Sequence, residues 1–275
     1  MNIDLKKRIT TKQIATMAIF AALYCALSLI APIKIPIGNG LEIGIAALIA
    51  SIFGLILGPY LGATTALLGA TTAWALTGMT PYGAPFILAP MFNALIVGLI
   101  FYKKWKYAFA IFTIMIITFL FTPPVTPLTG QSTLVDVGIP IVANWYIAAA
   151  VLFDKIIALA LILPLAYFGK KMSVAYGSIF FFTLFFIGNQ ADNIWGTLIF
   201  SSSPIIYNGI FGMDLIAVQF GLIVSPFLYP TIRLIQALIA TLIAIPLVKI
   251  LQNTNWLWNK NHILIDQKPK TTTTT

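Results

Sequence analysis

From Ile14 to Ile250 the chain is a succession of apolar runs, each close to the thickness of a lipid bilayer, with charge almost confined to the gaps between them. A membrane's hydrocarbon core is about 30 Å deep and a helix rises about 1.5 Å per residue, so a crossing takes about 20 apolar residues. That measure divides the sequence into eight candidate spans, at 14–31, 41–57, 60–78, 85–102, 107–122, 142–168, 174–200 and 226–251. The breaks carry turn chemistry: Pro32, Pro36 and Gly38, then Gly58-Pro59, then Gly78 to Pro85, then Pro123-Pro124. The stretch from Ser201 to Ser225 is apolar but interrupted by Pro204, Gly209, Gly212 and Asp214. It reads as an external loop with a short or re-entrant helix, a ninth span being the alternative.

Few folds accept such a pattern. Backbone polar groups inside hydrocarbon must be satisfied within the protein, and runs of this length are helical. The expectation is an all-α polytopic integral membrane bundle of about eight spans. Composition agrees, since 60% of residues are hydrophobic and 8% charged, whereas soluble domains are about a quarter charged. The net charge of +9 would suit a nucleic-acid binder, but the placement of the basic residues does not. With the N-terminus inside, cytoplasmic segments hold Lys6, Lys7, Arg8, Lys12, Lys103, Lys104, Lys106, Lys170, Lys171, Lys249, Lys260, Lys268 and Lys270, which is 13 of the 16 basic residues. External loops keep only Lys34. This asymmetry predicts both termini in the cytoplasm and an even number of spans.

The domain reading follows directly. Residues 1–12 form a basic cytoplasmic segment, 13–252 the transmembrane domain, and 253–275 a polar cytoplasmic tail expected to be disordered. The basic lead-in before the first run resembles a signal peptide, but a run long enough to span, with many spans after it, reads as a retained helix.

Ionisable residues at membrane depth are costly and are read as functional by default. Here they are Asp154, Lys155, Asp192 and Arg233, with Glu42 at the mouth of the second span. Asp192 and Arg233 each fall about 10 Å below the external ends of neighbouring spans, a geometry that suits an ion pair. Asp154 and Lys155 are adjacent, point about 100° apart, and are expected to find different partners.

Around Asp192 the sequence packs Asn189, Gln190, Asn193 and Trp195 into a lipid-spanning segment. Such groups must be hydrogen-bonded or wet. With Trp74, Asn93, Asn144, Arg233 and Gln236 at similar depth, and Trp145 and Tyr82 nearby, they describe a pocket opening outward, with flat apolar walls and a few directed polar groups. The competing reading is a closed hydrogen-bond cluster between helices.

Enzyme chemistry finds little support. The one histidine, His262, lies in the tail, Cys25 stands alone, and no Gly-rich phosphate loop is present. No enzymatic activity, metal or cofactor is expected, and no filter-like loop suggests a channel. A binder or transporter of a small solute remains.

Two small-residue series concern packing. Gly54, Gly58 and Gly62 read as close approaches between helices. Ala18, Ala22 and Ala26 form a face on the first span that serves either internal packing or docking of another membrane protein.

The run from Thr11 to Ser28, with its polar lead-in and Ala-x-x-x-Ala face, resembles the opening helix of the S components of energy-coupling factor (ECF) transporters. The loop with Pro36 and Gly38, and then Leu55-Ile-Leu-Gly58-Pro59-Tyr60-Leu-Gly62-Ala63, are similar to that family in the same order. The resemblance covers residues 10 to about 100. It implies a membrane-embedded substrate-binding subunit of an ECF-type ABC importer, capturing a vitamin or cofactor precursor from outside. It also implies docking through Ala18, Ala22 and Ala26 onto a transmembrane coupling protein that carries two ABC ATPases. Riboflavin, thiamine, biotin, folate and queuosine precursors all stay open. This chain has more spans than members of that family commonly have, so either a hairpin has been added around 107–168 or the resemblance extends only to the first half. The alternative is a stand-alone secondary transporter using Asp154/Lys155 or Asp192/Arg233 as a proton or ion relay.

Overall fold

The structure, a computed structural model, describes residues 10–30, 35–36, 42–43, 46–81, 83–140, 143–175, 177–206 and 214–252. The basic residues before Thr10, Lys34, Tyr82 and the tail from 253 lie outside the described residues, as does the side chain of Glu42. The described chain is helical apart from loops, two 3-10 turns and a two-residue antiparallel pairing of Ile35–Pro36 with Glu42–Ile43.

The first helix, α1 (Thr11–Ile30), opens on a reciprocal cap. Gln13 N donates to Thr10 Oγ1 and Thr10 N to Gln13 Oε1, which satisfies backbone donors that the first turn leaves free. The second, α2 (Ala47–Leu76), is formally one helix but contains Gly58 at φ 82°, ψ 175°. That conformation is open essentially to glycine alone. Pro59 follows with the φ that suits a helix's first position. The chain reverses there, because Gly62 returns against the backbone of Phe53 and Gly54, which a straight helix would hold far apart. The arms 47–57 and 59–76 are therefore an antiparallel pair, corresponding to the second and third sequence spans. Gly54 in turn lies against the backbone of Ala94. The glycine series is internal packing, as expected.

After a 3-10 turn at Ala84–Ile87 come α3 (Leu88–Phe101), α4 (Trp105–Phe119), α5 (Asn144–Ala175), α6 (Gly177–Ile206) and α7 (Leu215–Gln252). The core lies around α2, α3 and α6, with α1 packed on α2, and α5 and α7 on α6. Five helical stretches are long and apolar enough to cross a membrane: Thr11–Leu29, Ala47–Leu76, Ala84–Phe101, Asn144–Gly169 and Leu215–Leu251. The first of these is the least embedded in the rest of the bundle. The helix α6 has the length, but its amide-rich run holds it out of that group.

The chain's third quarter departs from the sequence reading. Much of Ser201 to Ser225 is helix where a loop was expected: α6 continues to Ile206 and α7 begins at Leu215, eleven residues before the predicted 226, while 207–213 lie outside the described residues. Asp214, read as an interruption, is the cap of α7, accepting from Ala217 N at 2.8 Å. Pro226 and Pro230 sit inside the helix. Pro226 leaves the Leu222 carbonyl without its helical donor, and the Ser225 hydroxyl donates to that carbonyl at 2.8 Å. Depth shifts accordingly. Arg233 lies about 27 Å along α7 and Asp192 about 21 Å from the end of α6, deeper than the sequence boundaries implied.

Candidate functional site

The α6 run from Asn189 to Asn193 is wholly interior, and each polar side chain in it faces a group on another helix or on its own next turn. Asp192 Oδ1 accepts from Arg233 Nη2 at 2.8 Å, which realises the expected pair between α6 and α7. Arg233 Nη1 donates to Gln236 Oε1 at 2.9 Å. On the α3 side, Asn93 Nδ2 donates to Asn189 Oδ1 at 3.0 Å and to the Ala47 carbonyl at 3.1 Å. Ser51 completes this branch by donating to Asn93 Oδ1 at 2.6 Å. On the α5 side, Gln190 Nε2 donates to Asp154 Oδ2 at 3.0 Å. Asn193 Nδ2 donates to Gln190 Oε1 at 3.3 Å.

Lys155 corrects the sequence reading. It was expected to need its own partner, yet its Nζ lies 2.9 Å from Asp154 Oδ1. The Cα–Cβ bonds of neighbouring residues diverge, but a lysine stem has four carbons and can bring its ammonium back to the preceding carboxylate. Two ion pairs are thus enclosed in the bundle, each internally neutral. Deep burial of a charge is tolerable in this form, because an unpaired one would cost several kcal/mol.

Some predicted site residues join this network and others do not. Asn93, Asn189, Gln190, Asp192, Asn193, Arg233 and Gln236 belong to it. Trp195 is adjacent: its indole N–H donates to the Pro85 carbonyl at 2.9 Å and its ring lies 4.6 Å from that of Phe92, at the start of α3. Trp74 is engaged locally, donating to the Thr80 carbonyl at 2.8 Å. Asn144 belongs to a separate cluster around Gln219 of α7. There, Gln219 Oε1 accepts from Ser132, from Thr133 N and from Thr133 Oγ1, while its Nε2 donates to Asn144 Oδ1 and to the Pro124 carbonyl. This clasp holds the loop between α4 and α5 against α7.

Ser51 and Gln219 were missed in the sequence. Ser51 gave no signal beyond a hydroxyl in an apolar helix, and Gln219 sat in the segment read as loop. The network is mostly closed on itself, as the interhelical reading requires, but not completely. Asn189 Nδ2, Arg233 Nε and Ser201 Oγ are buried and find no hydrogen-bond partner among the described residues. Free valences of this kind in a dry interior are costly.

The outward face of α1 is plain. On α1, Ala15, Ala18 and Ala22 are exposed, Ala26 is half-buried, and Thr16, Tyr24 and Cys25 turn inward. The inner face is anchored by Phe20, stacked on Phe53 at 5.1 Å.

A helical bundle with apolar outer faces around an enclosed polar cluster is the architecture of a membrane-embedded protein. The family described as the ECF-type riboflavin transporter, S component, matches residues 8–167, more than half of the chain, and the chain belongs to that family. It is a membrane-embedded, substrate-binding subunit of ECF transporters. No curated protein and no solved structure matches it. The match covers α1 to most of α5, and the polar residues of α6 and α7 lie beyond it.

Proposed function

We propose that the protein captures a vitamin-type heteroaromatic compound from the outer face of the membrane, riboflavin being the first to test. Its polar site is the α6 cluster, with Asn93, Asn189, Gln190, Asp192, Asn193, Trp195, Arg233 and Gln236 around the ligand. The observations that carry this reading are the buried unfilled valences at Asn189 Nδ2, Arg233 Nε and Ser201 Oγ, together with the Phe92–Trp195 ring pair between α3 and α6. A flat ligand with polar edges has both the stacking surface and the hydrogen-bond partners it needs there. Trp74 and Asn144 are assigned supporting roles in their loops. The riboflavin assignment rests on the description of the matching family.

The loaded protein docks through Ala18, Ala22 and Ala26 onto a transmembrane coupling protein with two ABC ATPases, so ATP is hydrolysed on the partners and this chain is not an enzyme. Exposure of Ala18 and Ala22 supports this, because small side chains permit close helix approach in lipid. Eight helical segments cross the membrane in this arrangement, and both termini lie in the cytoplasm. A gradient-driven transporter working alone is less well supported, since both candidate relay pairs, Asp154–Lys155 and Asp192–Arg233, are already closed ion pairs. Native mass spectrometry of the protein purified alone and with co-purifying partners tests the reading. A bound small heterocycle and a complex containing two ATPases are expected. A bare monomer that transports in proteoliposomes without ATPases would overturn it.

A further inference from the structure

Hydrogen bonds along one face of α6 run in a single direction. Thr197 Oγ1 donates to Asn193 Oδ1 across a long 3.5 Å contact. Asn193 Nδ2 donates to Gln190 Oε1, and Gln190 Nε2 donates to Asp154 Oδ2. A carboxylate paired with an ammonium can only accept, so Gln190 must turn its nitrogen toward Asp154. Its oxygen then faces Asn193, which must answer with nitrogen, and the oxygen of Asn193 faces Thr197. The orientation of every amide in the series follows from the one acceptor at its start. At the other end, one turn beyond Thr197 on the same face, Ser201 Oγ is fully buried and has no partner among the described residues.

We infer that Asp154, held by Lys155, is a positioning residue that sets the hydrogen-bond polarity of this α6 series and so selects the ligand edge that meets its Thr197–Ser201 end. Thr197, its hydroxyl hydrogen turned toward Asn193 Oδ1, presents its lone pairs to a ligand. The ligand group facing it is therefore a donor, such as the ring N–H of an imide. The inference rests on the proposal that the α6 cluster lines the ligand site. Asp154 itself acts only through Gln190.

The test uses the full-length protein in detergent with riboflavin and 3-methylriboflavin, in which the imide N–H is replaced. The variant D154N–K155M removes the acceptor-only anchor without leaving a buried lysine alone, and T197V removes the far end. Wild type and D154E are expected to prefer riboflavin by roughly tenfold, the scale of one hydrogen bond to a buried group. Both D154N–K155M and T197V are expected to bring that ratio to within about twofold. Loss in T197V with retention in D154N–K155M overturns the role of Asp154 and leaves the site standing. Retention in both places the ligand elsewhere and overturns the site reading with it. A readout without ligand decides the relay independently: the side-chain amide resonances of Gln190 and Asn193 in nitrogen-15-labelled protein. Both should move in D154N–K155M, and an unmoved Asn193 resonance overturns the inference.

Discussion

Arg233 on α7 and Asp192 on α6 are joined at 2.8 Å between Nη2 and Oδ1, deep in the bundle, with both side chains less than a tenth exposed. Removing one partner of such a pair leaves a lone charge in a medium that cannot solvate it, at a cost of about 3–5 kcal/mol. Replacing both with apolar residues removes that penalty. R233M is therefore expected to lower the melting temperature in detergent sharply, and D192L–R233M to recover most of the loss. Ligand binding should recover in neither. Equal destabilisation by the single and double variants would show that the pair is not coupled.

The hinge makes a separate prediction. At Gly58, φ 82° and ψ 175° exclude residues with a Cβ at a cost of about 1–3 kcal/mol. At Gly62, an added Cβ would lie 2.6 Å from the Phe53 carbonyl oxygen, with backbone rather than a flexible side chain in its way. G62A is expected to be worse than G58A, because it forces the two arms of α2 apart where G58A strains one residue. Thermal unfolding by intrinsic fluorescence ranks them. By contrast G78A, at a positive φ but with open space around it, should cost little more than backbone strain.

Much of this was legible in the sequence, and the reason is lipid. A bilayer imposes a length and a polarity on each segment, so each of the runs falls on a helical segment among the described residues, two of them on the arms of α2. The hinge was legible because Gly58-Pro59 fits few conformations. The Asp192–Arg233 pair was legible because buried charges need partners. What escaped shows where such rules stop. Pro226 and Pro230 signalled a helix boundary, but α7 runs through both, and at Pro226 Ser225 supplies the missing donor. Asp214 looked like a break and is a cap. Asp154 and Lys155 were separated by helical geometry that treats side chains as rigid pointers, which lysine is not. Asn144 shared a depth with the cluster but not a neighbourhood, and depth alone cannot tell which side of a helix its partners occupy.

Gln219 predicts a local effect. Its amide takes part in five hydrogen bonds, to Ser132, Thr133 N and Thr133 Oγ1, Asn144 and the Pro124 carbonyl. Q219A strips these partners at once, and buried groups left unmet cost about 1–3 kcal/mol each unless water reaches them. Hydrogen exchange followed by mass spectrometry should show faster exchange over 124–134, with α2 and α3 unchanged. Uniform acceleration across the protein would mean that the clasp supports the whole bundle instead of its loop.

The alanine face gives the prediction that separates docking from capture. Ala18 and Ala22 are exposed while Phe20 and Tyr24 hold α1 to Phe53 from its other side. An indole at position 18 or 22 therefore has room in the isolated protein and should leave its stability and its ligand affinity within about twofold of wild type. Against a partner helix the same indole would hold the backbones apart by more than a small-residue interface tolerates. A18W and A22W are expected to lose co-purification with the coupling protein and its ATPases, and with it ATP-dependent uptake. A26W, at a half-buried position, is expected to disturb α1 packing as well. If A18W and A22W assemble as wild type does, the coupling module meets another surface of this chain, and the apolar outer faces of α5 and α7 become the next to substitute.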